Sequence, residues 1–404
     1  MSASPPSDES SPSLRVLHIG KYFPPFRGGM ETYLRDLMRA MTDVQVISSA
    51  LVHDHRRSFR SRASTLTTAR SELTILRAAR WINLSFAPIS PGFPLLFLRM
   101  LRQEKPDILH FHLPNASTFW ALIIPKARRL PWVVHWHSDV PETVFASHWW
   151  LRPLALPYRA LERALLRRAA RIIATSPPYL RSSPFLAAFR GKCRVIPLGL
   201  PSPAPTHTCA GNKTASRGPD EPLRLLAVGR LSYYKGFSVL LEALSQAPDV
   251  ELQLVGDGER RDELQALASE LSIDSRVRFR GSISDEELEA AWAWCDCLCL
   301  PSIERSEAFG IVLLEAMSRG KACIVSDIHG SGMGWVVEEG VTGLVVESRN
   351  AQALSEGLQA LNSDRAALDR MGRAGQRKFQ DQLDIARSAR QVKTLYQDVT
   401  AHAG

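Results

Sequence analysis

A chain of 404 residues with 45% hydrophobic and 23% charged positions is too long for one compact core and too apolar to stay unfolded, so two globular domains are expected. No apolar run reaches the roughly 18 residues of a membrane-spanning helix, and the six cysteines (193, 209, 295, 297, 299 and 323) lack the paired spacing and nearby histidines of structural zinc. Those features exclude a transmembrane bundle and a zinc-finger protein, and predict cysteines that act as small buried hydrophobes.

The formal charge of +9 is spread unevenly: residues 14–200 carry 28 Lys+Arg against 10 Asp+Glu, and residues 201–404 carry 22 against 29. A first half of net +18 calls for an anionic partner. No nucleic-acid motif accompanies it, so an anionic membrane surface with a lipid-phosphate acceptor suits it better. Residues 1–13 are rich in Ser and Pro and lack the pattern of a signal peptide. They read as a disordered tail on a cytoplasmic protein able to lie against the inner face of the plasma membrane.

In chain order, residues 14–19 form an apolar first strand, followed by KYFPPFRGGME. Pro24 and Pro25 forbid a helix there, and Gly28 and Gly29 lead into one near Met30. Paired glycines at a helix start can admit a phosphate or sugar, although plain turns use them more often. Short strands are expected at 44–48, 73–76, 108–111, 132–136, 171–174 and 194–197, alternating with helical stretches, which argues for a parallel, doubly wound α/β sheet. His110 and His112, and His135 and His137, each share a strand face. A metal would need a third ligand and an open position, so core or supporting histidines are expected and no metal site is assigned.

Residues 149–171 place Leu151, Leu154, Tyr158, Leu161 and Leu165 on one helical stripe and arginines on the other side, with Pro153 and Pro157 expected to delay the helix. Such a helix can rest on an anionic membrane or simply cover its own domain. Residues 201–222 have linker composition. A second domain over 223–375 then begins with the apolar run 223–228 and Gly229-Arg230-Leu231-Ser232-Tyr233-Tyr234-Lys235-Gly236. Arg230 and Lys235 put two cations at one strand end, suited to a diphosphate. Near 256–258 the glycines fall short of a dinucleotide fingerprint.

The buried run 297–300 is followed by SIERSEAFGIVLLEAM, with a helix expected from about Phe309. The carboxyl edge of a parallel sheet collects ligands, free N–H groups at a helix start favour anions, and Gly310 permits close backbone approach. Glu307 and Glu315 are eight positions apart, so they could hold two ends of an extended ligand; alone, they would more often be solvated charges.

Glu307-Ala-Phe-Gly-Ile-Val-Leu-Leu-Glu315 resembles the glutamate, seven residues, glutamate motif of retaining glycosyltransferases of the GT-B fold, especially glycosyltransferase family 4. Arg305 to Gly310 is similar to members that transfer mannose or a 6-deoxyhexose in bacterial surface-polysaccharide assembly of the O-antigen type. The resemblance covers nearly all of the chain after Leu14. It implies two Rossmann-like domains facing across a cleft: an acceptor-side domain over 14–200, a nucleotide-sugar domain over 223–375, and a final helix within 376–404 that crosses back.

Residue by residue, the resemblance implies that Arg230 and Lys235 hold the diphosphate and that Glu307 holds sugar hydroxyls. It gives the ribose hydroxyls to Glu315, places Phe309, Gly310, Ile311 and Val312 along the donor, and sets Gly28 and Gly29 beside sugar and diphosphate. His137 would meet the donor sugar near its C6 hydroxyl. Ser138 separates His137 from Asp139 where many relatives have the two adjacent, so Asp139 either faces the acceptor or caps a turn.

The reaction implied is transfer of a hexose from a nucleotide diphosphate sugar, such as GDP-mannose, to a lipid-linked or polysaccharide acceptor. No resident cofactor and no metal are expected, since no aspartate-x-aspartate motif is present. The same architecture also serves nucleotide-sugar epimerases, sugar phosphorylases and noncatalytic carbohydrate-binding proteins.

Overall fold

The computed structural model describes residues 13–84, 87–146, 149–203 and 221–402. The expected tail lies outside the described residues except for Ser13, and the expected linker except for 201–203 and 221–222.

The first sheet has eight strands in the order β10-β9-β8-β7-β1-β2-β4-β3. In chain order these are β1 (Leu14–Ile19), β2 (Val46–Arg57), β3 (Arg62–Thr67), β4 (Glu72–Arg80), β7 (Ile108–Leu113), β8 (Trp132–Trp136), β9 (Arg171–Ala174) and β10 (Cys193–Val195). A separate hairpin, β5 (Ile82–Leu84) with β6 (Ala87–Ile89), stands between β4 and β7 in the chain. β2 pairs in parallel with β1 and β4, and β7 with β1 and β8, whereas β3 runs antiparallel to β4. Every residue of β7 and β8 is buried, as expected of strands covered on both faces.

The second sheet is parallel throughout, in the order β13-β12-β11-β14-β15-β16. Its strands are β11 (Leu223–Val228), β12 (Val250–Val255), β13 (Val277–Gly281), β14 (Cys297–Leu300), β15 (Ala322–Asp327) and β16 (Gly343–Glu347). Leu225, Leu254, Cys297, Cys299 and Ile324 share one apolar core with Leu240 and Leu244 of a covering helix. All five described cysteines are buried free thiols, which is the packing role expected of them.

By its contacts the chain forms two compact units. One contains the chain up to Trp136, Glu142–Ile173 and everything from Ala389; the other contains His137–Pro141 and Ala174–Ser388. The last helix, Ile385–Ala401, thus ends within the first unit, where Tyr396 Oη lies 2.5 Å from His110 Nδ1.

Several elements differ from expectation. β2 is twelve residues long instead of five, because it pairs with β1 over Val46–Leu51 and with β4 from Ala50 onward, so one partner takes over where the other ends. Pro157 lies inside the helix Arg152–Arg168 rather than ahead of it. Its missing donor would have bonded to the carbonyl of Pro153, in the first turn, where the loss is smallest. The expected apolar stripe also divides: Leu151, Tyr158 and Leu165 are buried, but Leu154 and Leu161 are 40% and 42% exposed. Glu162 and Leu166 take the inner places instead, because the inward face follows Tyr158, which packs edge-on against Phe119 at 5.3 Å.

Candidate active site at the strand-order switch of the second sheet

In the second sheet the chain runs outward from β11 through β12 to β13, then crosses back to lay β14 on the other side of β11. The loops leaving β11 and β14 therefore diverge over opposite faces of the sheet and leave a crevice at their carboxyl ends, the general ligand position of open parallel sheets. The first loop carries Arg230 and Lys235, and the second carries Glu307 and Gly310.

Backbone contacts fix these loops. The Ile303 N–H donates to Tyr234 O at 2.8 Å, tying the β14 loop to the β11 loop. Gly236 has φ +68°, and a Cβ there would collide with the Pro301 carbonyl. The Leu231 N–H donates to Asp257 O at 3.0 Å, and the Arg260 N–H donates back to Leu231 O at 3.1 Å, linking the β12 loop as well. Chain entropy has thus been removed before any ligand arrives.

Within that frame Lys235 Nζ donates to Glu307 Oε2 at 2.5 Å, the two side chains being 11% and 12% exposed. The lysine stem passes over Gly229, where a Cβ would come within 3.2 Å of Lys235 Cε. Burial opposes the lysine's charge, but the adjoining Glu307 carboxylate outweighs it and lifts the ammonium above its ordinary pKa. Ser302 Oγ stands 3.4 Å from the same carboxylate oxygen, and the Glu307 carbonyl accepts Ser331 Oγ at 2.5 Å. Sequence reasoning gave neither serine a role.

Arg230 behaves differently. Its side chain is 71% exposed and pairs at 3.2 Å with Glu259, itself 55% exposed, so it is a solvated cation at the crevice mouth. Phe309 is buried and Gly310 adopts φ +78° as the cap of the helix Ile311–Ser318, which starts two residues later than expected. The first N–H groups of an α-helix lack intrahelical acceptors, which places those of the half-buried Ile311 and Val312 at this helix start. Glu315 is half-buried, one turn further on, and its carbonyl accepts Ser318 Oγ at 2.8 Å.

His137 and Asp139 belong to the same unit as these loops. His137 is buried, and burial lowers its imidazole to about pKa 3, so at neutral pH it is an uncharged hydrogen-bonding group and not an acid. Asp139 accepts Ser183 Oγ at 2.9 Å and pairs with Arg305, while its N–H donates to Tyr179 Oη at 2.6 Å. The Arg305 guanidinium also covers the Tyr179 ring at 3.9 Å. Arg305 was legible only as part of a motif; its pairing with Asp139 was not.

Gly28 and Gly29 lie in the first unit, at the start of the helix Gly29–Asp43. A Cβ on Gly28 would run into the carboxylate of Glu31, which folds back over it. Glu31 is 5% exposed and burial raises its carboxyl pKa. That internal carboxylate explains the glycine without a ligand. In the same unit His18, His110 and His112 are fully buried on neighbouring strands, with His18 Nδ1 3.1 Å from His112 Nε2. Their ring nitrogens lie within 4.8 Å of one another, which makes them the histidines of this unit that could approach a metal together. Burial holds His18 neutral, with a pKa of about 3.

Comparisons with known proteins agree with this architecture. A family model described as glycosyl transferases group 1 matches residues 212–378, and one described as a glycosyl transferase 4-like domain matches residues 28–199. The chain is 33% identical over 293 residues to D-rhamnosyltransferase WbpZ of Pseudomonas aeruginosa, covering 72% of this chain and 74% of that protein. It is 28% identical over 374 residues to O-antigen chain mannosyltransferase C of Escherichia coli, covering 91% and 94%. Sucrose-phosphate synthase from Thermosynechococcus elongatus superposes with a TM-score of 0.76 at 22% identity, over 96% of this chain and 100% of that one, a likeness of fold. Two Rossmann-like units with parallel sheets, matched from residue 28 to residue 378 by these families, make the chain a glycosyltransferase of the group 1, family 4-like kind with the GT-B fold.

Proposed function

We propose that this glycosyltransferase moves a hexose, mannose or a 6-deoxyhexose in preference, from a nucleotide diphosphate sugar to a lipid-linked or polysaccharide acceptor in cell-surface polysaccharide assembly. It does so with retention of anomeric configuration, without a metal ion, and in peripheral contact with an anionic membrane. The observation that carries the reading is the Lys235–Glu307 pair in the crevice of the second sheet, a cation and an acid held 2.5 Å apart where a diphosphate and its sugar would meet. The rhamnosyl and mannosyl relatives support the choice of sugar and the O-antigen setting.

The reaction breaks the bond between the anomeric carbon and the diphosphate oxygen and forms one to an acceptor hydroxyl, whose proton is lost. Positive charge develops on the sugar ring and negative charge on the departing diphosphate. Lys235 is placed to stabilise that negative charge from a fixed position, and Arg230, loosely held by Glu259, can swing to join it. The first N–H groups of the helix Ile311–Ser318 add their dipoles. Among the described residues, both side-chain hydrogen bonds of Glu307 fall on Oε2, so Oε1 is available to sugar hydroxyls. Neutral His137 contributes a hydrogen bond rather than a proton.

Incubation with GDP-mannose, GDP-rhamnose and UDP-sugars, with and without membrane extract, tests the reading. Nucleoside diphosphate release that depends on acceptor is expected. Donor isomerisation would replace transfer by epimerase chemistry, and binding without turnover would make the chain a carbohydrate-binding protein.

A further inference from the structure

In the first sheet the chain passes from β1 outward through β2 to β4, then returns to lay β7 on the other side of β1. The carboxyl ends of β1 and its neighbours are the general ligand position of such a sheet. β2 and β4 run parallel and end in register at Arg57 and Arg80. The Ser58 N–H donates to Arg80 O at 2.9 Å, so the chain leaves both strands at one level, and Phe59 and Trp81 emerge side by side. Their ring centroids lie 5.8 Å apart with the planes tilted by 57°, and the two residues remain 69% and 45% exposed.

The pair is braced from several directions. The Trp81 N–H donates to Ile89 O at 3.0 Å, which fixes it at the base of the β5–β6 hairpin. The Ala79 N–H donates to Ser61 Oγ at 3.0 Å, and Arg80 reaches across to the carbonyls of Asp54 and His55 at 3.1 and 2.7 Å. Within the hairpin Asn83 Oδ1 accepts Tyr22 Oη at 3.1 Å, so the two rings adjoin the loop that follows β1. Side chains held in this way lose little further freedom when a ligand stacks on them.

The polar setting indicates which ligand that is. Residues 56–62 contain four arginines and no acid, and the Arg57 guanidinium lies over the Phe59 ring at 5.8 Å. Asp54, the acid just before them, is 1% exposed and is bonded by Arg62 at 2.6 Å. Two aromatic side chains bury at most about 500 Å², short of the roughly 800 Å² that each partner gives to a stable protein interface. They do match a pyranose, which offers an apolar C–H face to an aromatic ring and a rim of hydroxyl oxygens to guanidinium N–H donors.

We propose that Phe59, Trp81 and Arg57 form a sugar platform at the carboxyl ends of β2 and β4, which holds residues of the acceptor glycan beyond the one being extended. Sugar rings stack on the two aromatic faces, and the arginines bond their hydroxyls. The enzyme accordingly favours a glycan chain of several residues over a single lipid-linked sugar. The proposal deepens the acceptor named above and rests on that reading for the kind of sugar.

The test is binding of mannose and of rhamnose oligosaccharides, two and six residues long, to the full chain by saturation-transfer NMR and titration calorimetry. A hexasaccharide of one of the two series is expected to bind more tightly than its disaccharide. Its binding should weaken about fivefold in W81S and about 25-fold in F59S/W81S, at about fivefold per ring. Thermal melts of both variants should match the parent, since the rings are exposed. No binding by the parent, equal affinity for the two lengths, or unchanged affinity in F59S/W81S overturns the proposal. So does a double variant that keeps its glycan but loses binding to phosphatidylglycerol vesicles, because the rings would then serve a bilayer. Turnover is read separately: a parent that binds the hexasaccharide yet transfers sugar from no nucleotide donor defeats the transferase reading and leaves the platform standing.

Discussion

Replacing Lys235 by methionine would remove the ammonium that meets Glu307 at 2.5 Å while keeping a stem to lie over Gly229. Because the two side chains are only 11% and 12% exposed, water can do little to resolvate the stranded carboxylate. Breaking a buried pair from one side costs about 3–5 kcal/mol, a fall in melting temperature on the order of 10 °C for a unit of this size. Lys235→Met with Glu307→Gln leaves no unpaired charge, so the double variant should regain most of that loss. A double-mutant cycle by urea unfolding should give a coupling of about 2–3 kcal/mol.

Turnover should follow a different rule. If the ammonium stabilises charge on the departing diphosphate, restoring the fold does not restore the cation, and both the single and the double variant should lose about 100- to 1000-fold in kcat. Additive unfolding energies would refute the account of the buried pair. Near-normal kcat in the refolded double variant would refute the catalytic one and leave the pair as a structural tie.

Further outcomes are expected. Gly236→Ala should damage the crevice more than Gly310→Ala: both need positive φ, but the first would strike the Pro301 backbone carbonyl, while the second meets Leu313 and Leu300 side-chain carbons at 2.8 and 2.9 Å, which can shift; equal melts would contradict this. Arg305→Ala should strand Asp139, lower the melting temperature and reduce kcat, and Arg305→Lys should recover the ion pair without the stacking on Tyr179; a silent Arg305→Ala would refute the tie. Excess chelator should leave turnover unchanged, and its loss on chelation with recovery on added metal would overturn metal independence.

Another concerns acid. His18 and His53 titrate at about 3 in the fold instead of 6.5, both chiefly through burial, with Lys21 and Arg80 adding to the shift at His53. The unfolded chain therefore binds more protons between those values, so stability is complete above pH 6.5 and falls as the pH drops toward 3. From pH 7 to 5 each imidazole should cost about 2 kcal/mol, and a melting temperature independent of pH over that range would refute it.

What could be read from the sequence follows the range over which each signal acts. β11, β12 and β14 of the second sheet were legible because each is a short, mainly apolar run followed at once by glycine or proline, a pattern complete within ten residues. β3 and the β5–β6 hairpin were not, since Arg62–Thr67 is exposed along most of its length and shows no apolar run. The Lys235–Glu307 pair spans 72 positions and is brought together by the crossover that sets β14 beside β11. Nothing local announces the pairing, although the sequence marked each residue separately, Lys235 as a strand-end cation and Glu307 through the family motif.

The Asp139–Arg305 pair spans 166 positions and had no such help. An aspartate after a strand looks like a turn cap, and an arginine in a polar loop looks solvated, yet together they tie the segment His137–Pro141 to the loop that carries Glu307. His137 and Glu307 therefore stand on one braced scaffold: Arg305 also donates from Nε to Ser182 Oγ at 3.1 Å and from Nη2 to the Tyr179 carbonyl at 3.2 Å. The spacing of Asp139 from His137 by Ser138 gains a reason from this. Asp139 must reach Ser183 and Arg305 while His137 remains buried, and one additional residue between them lets the two side chains serve different neighbours. Deleting Ser138 should therefore break the brace before it disturbs the Lys235–Glu307 pair, and the unfolding of that variant should resemble that of Arg305→Ala rather than that of Lys235→Met.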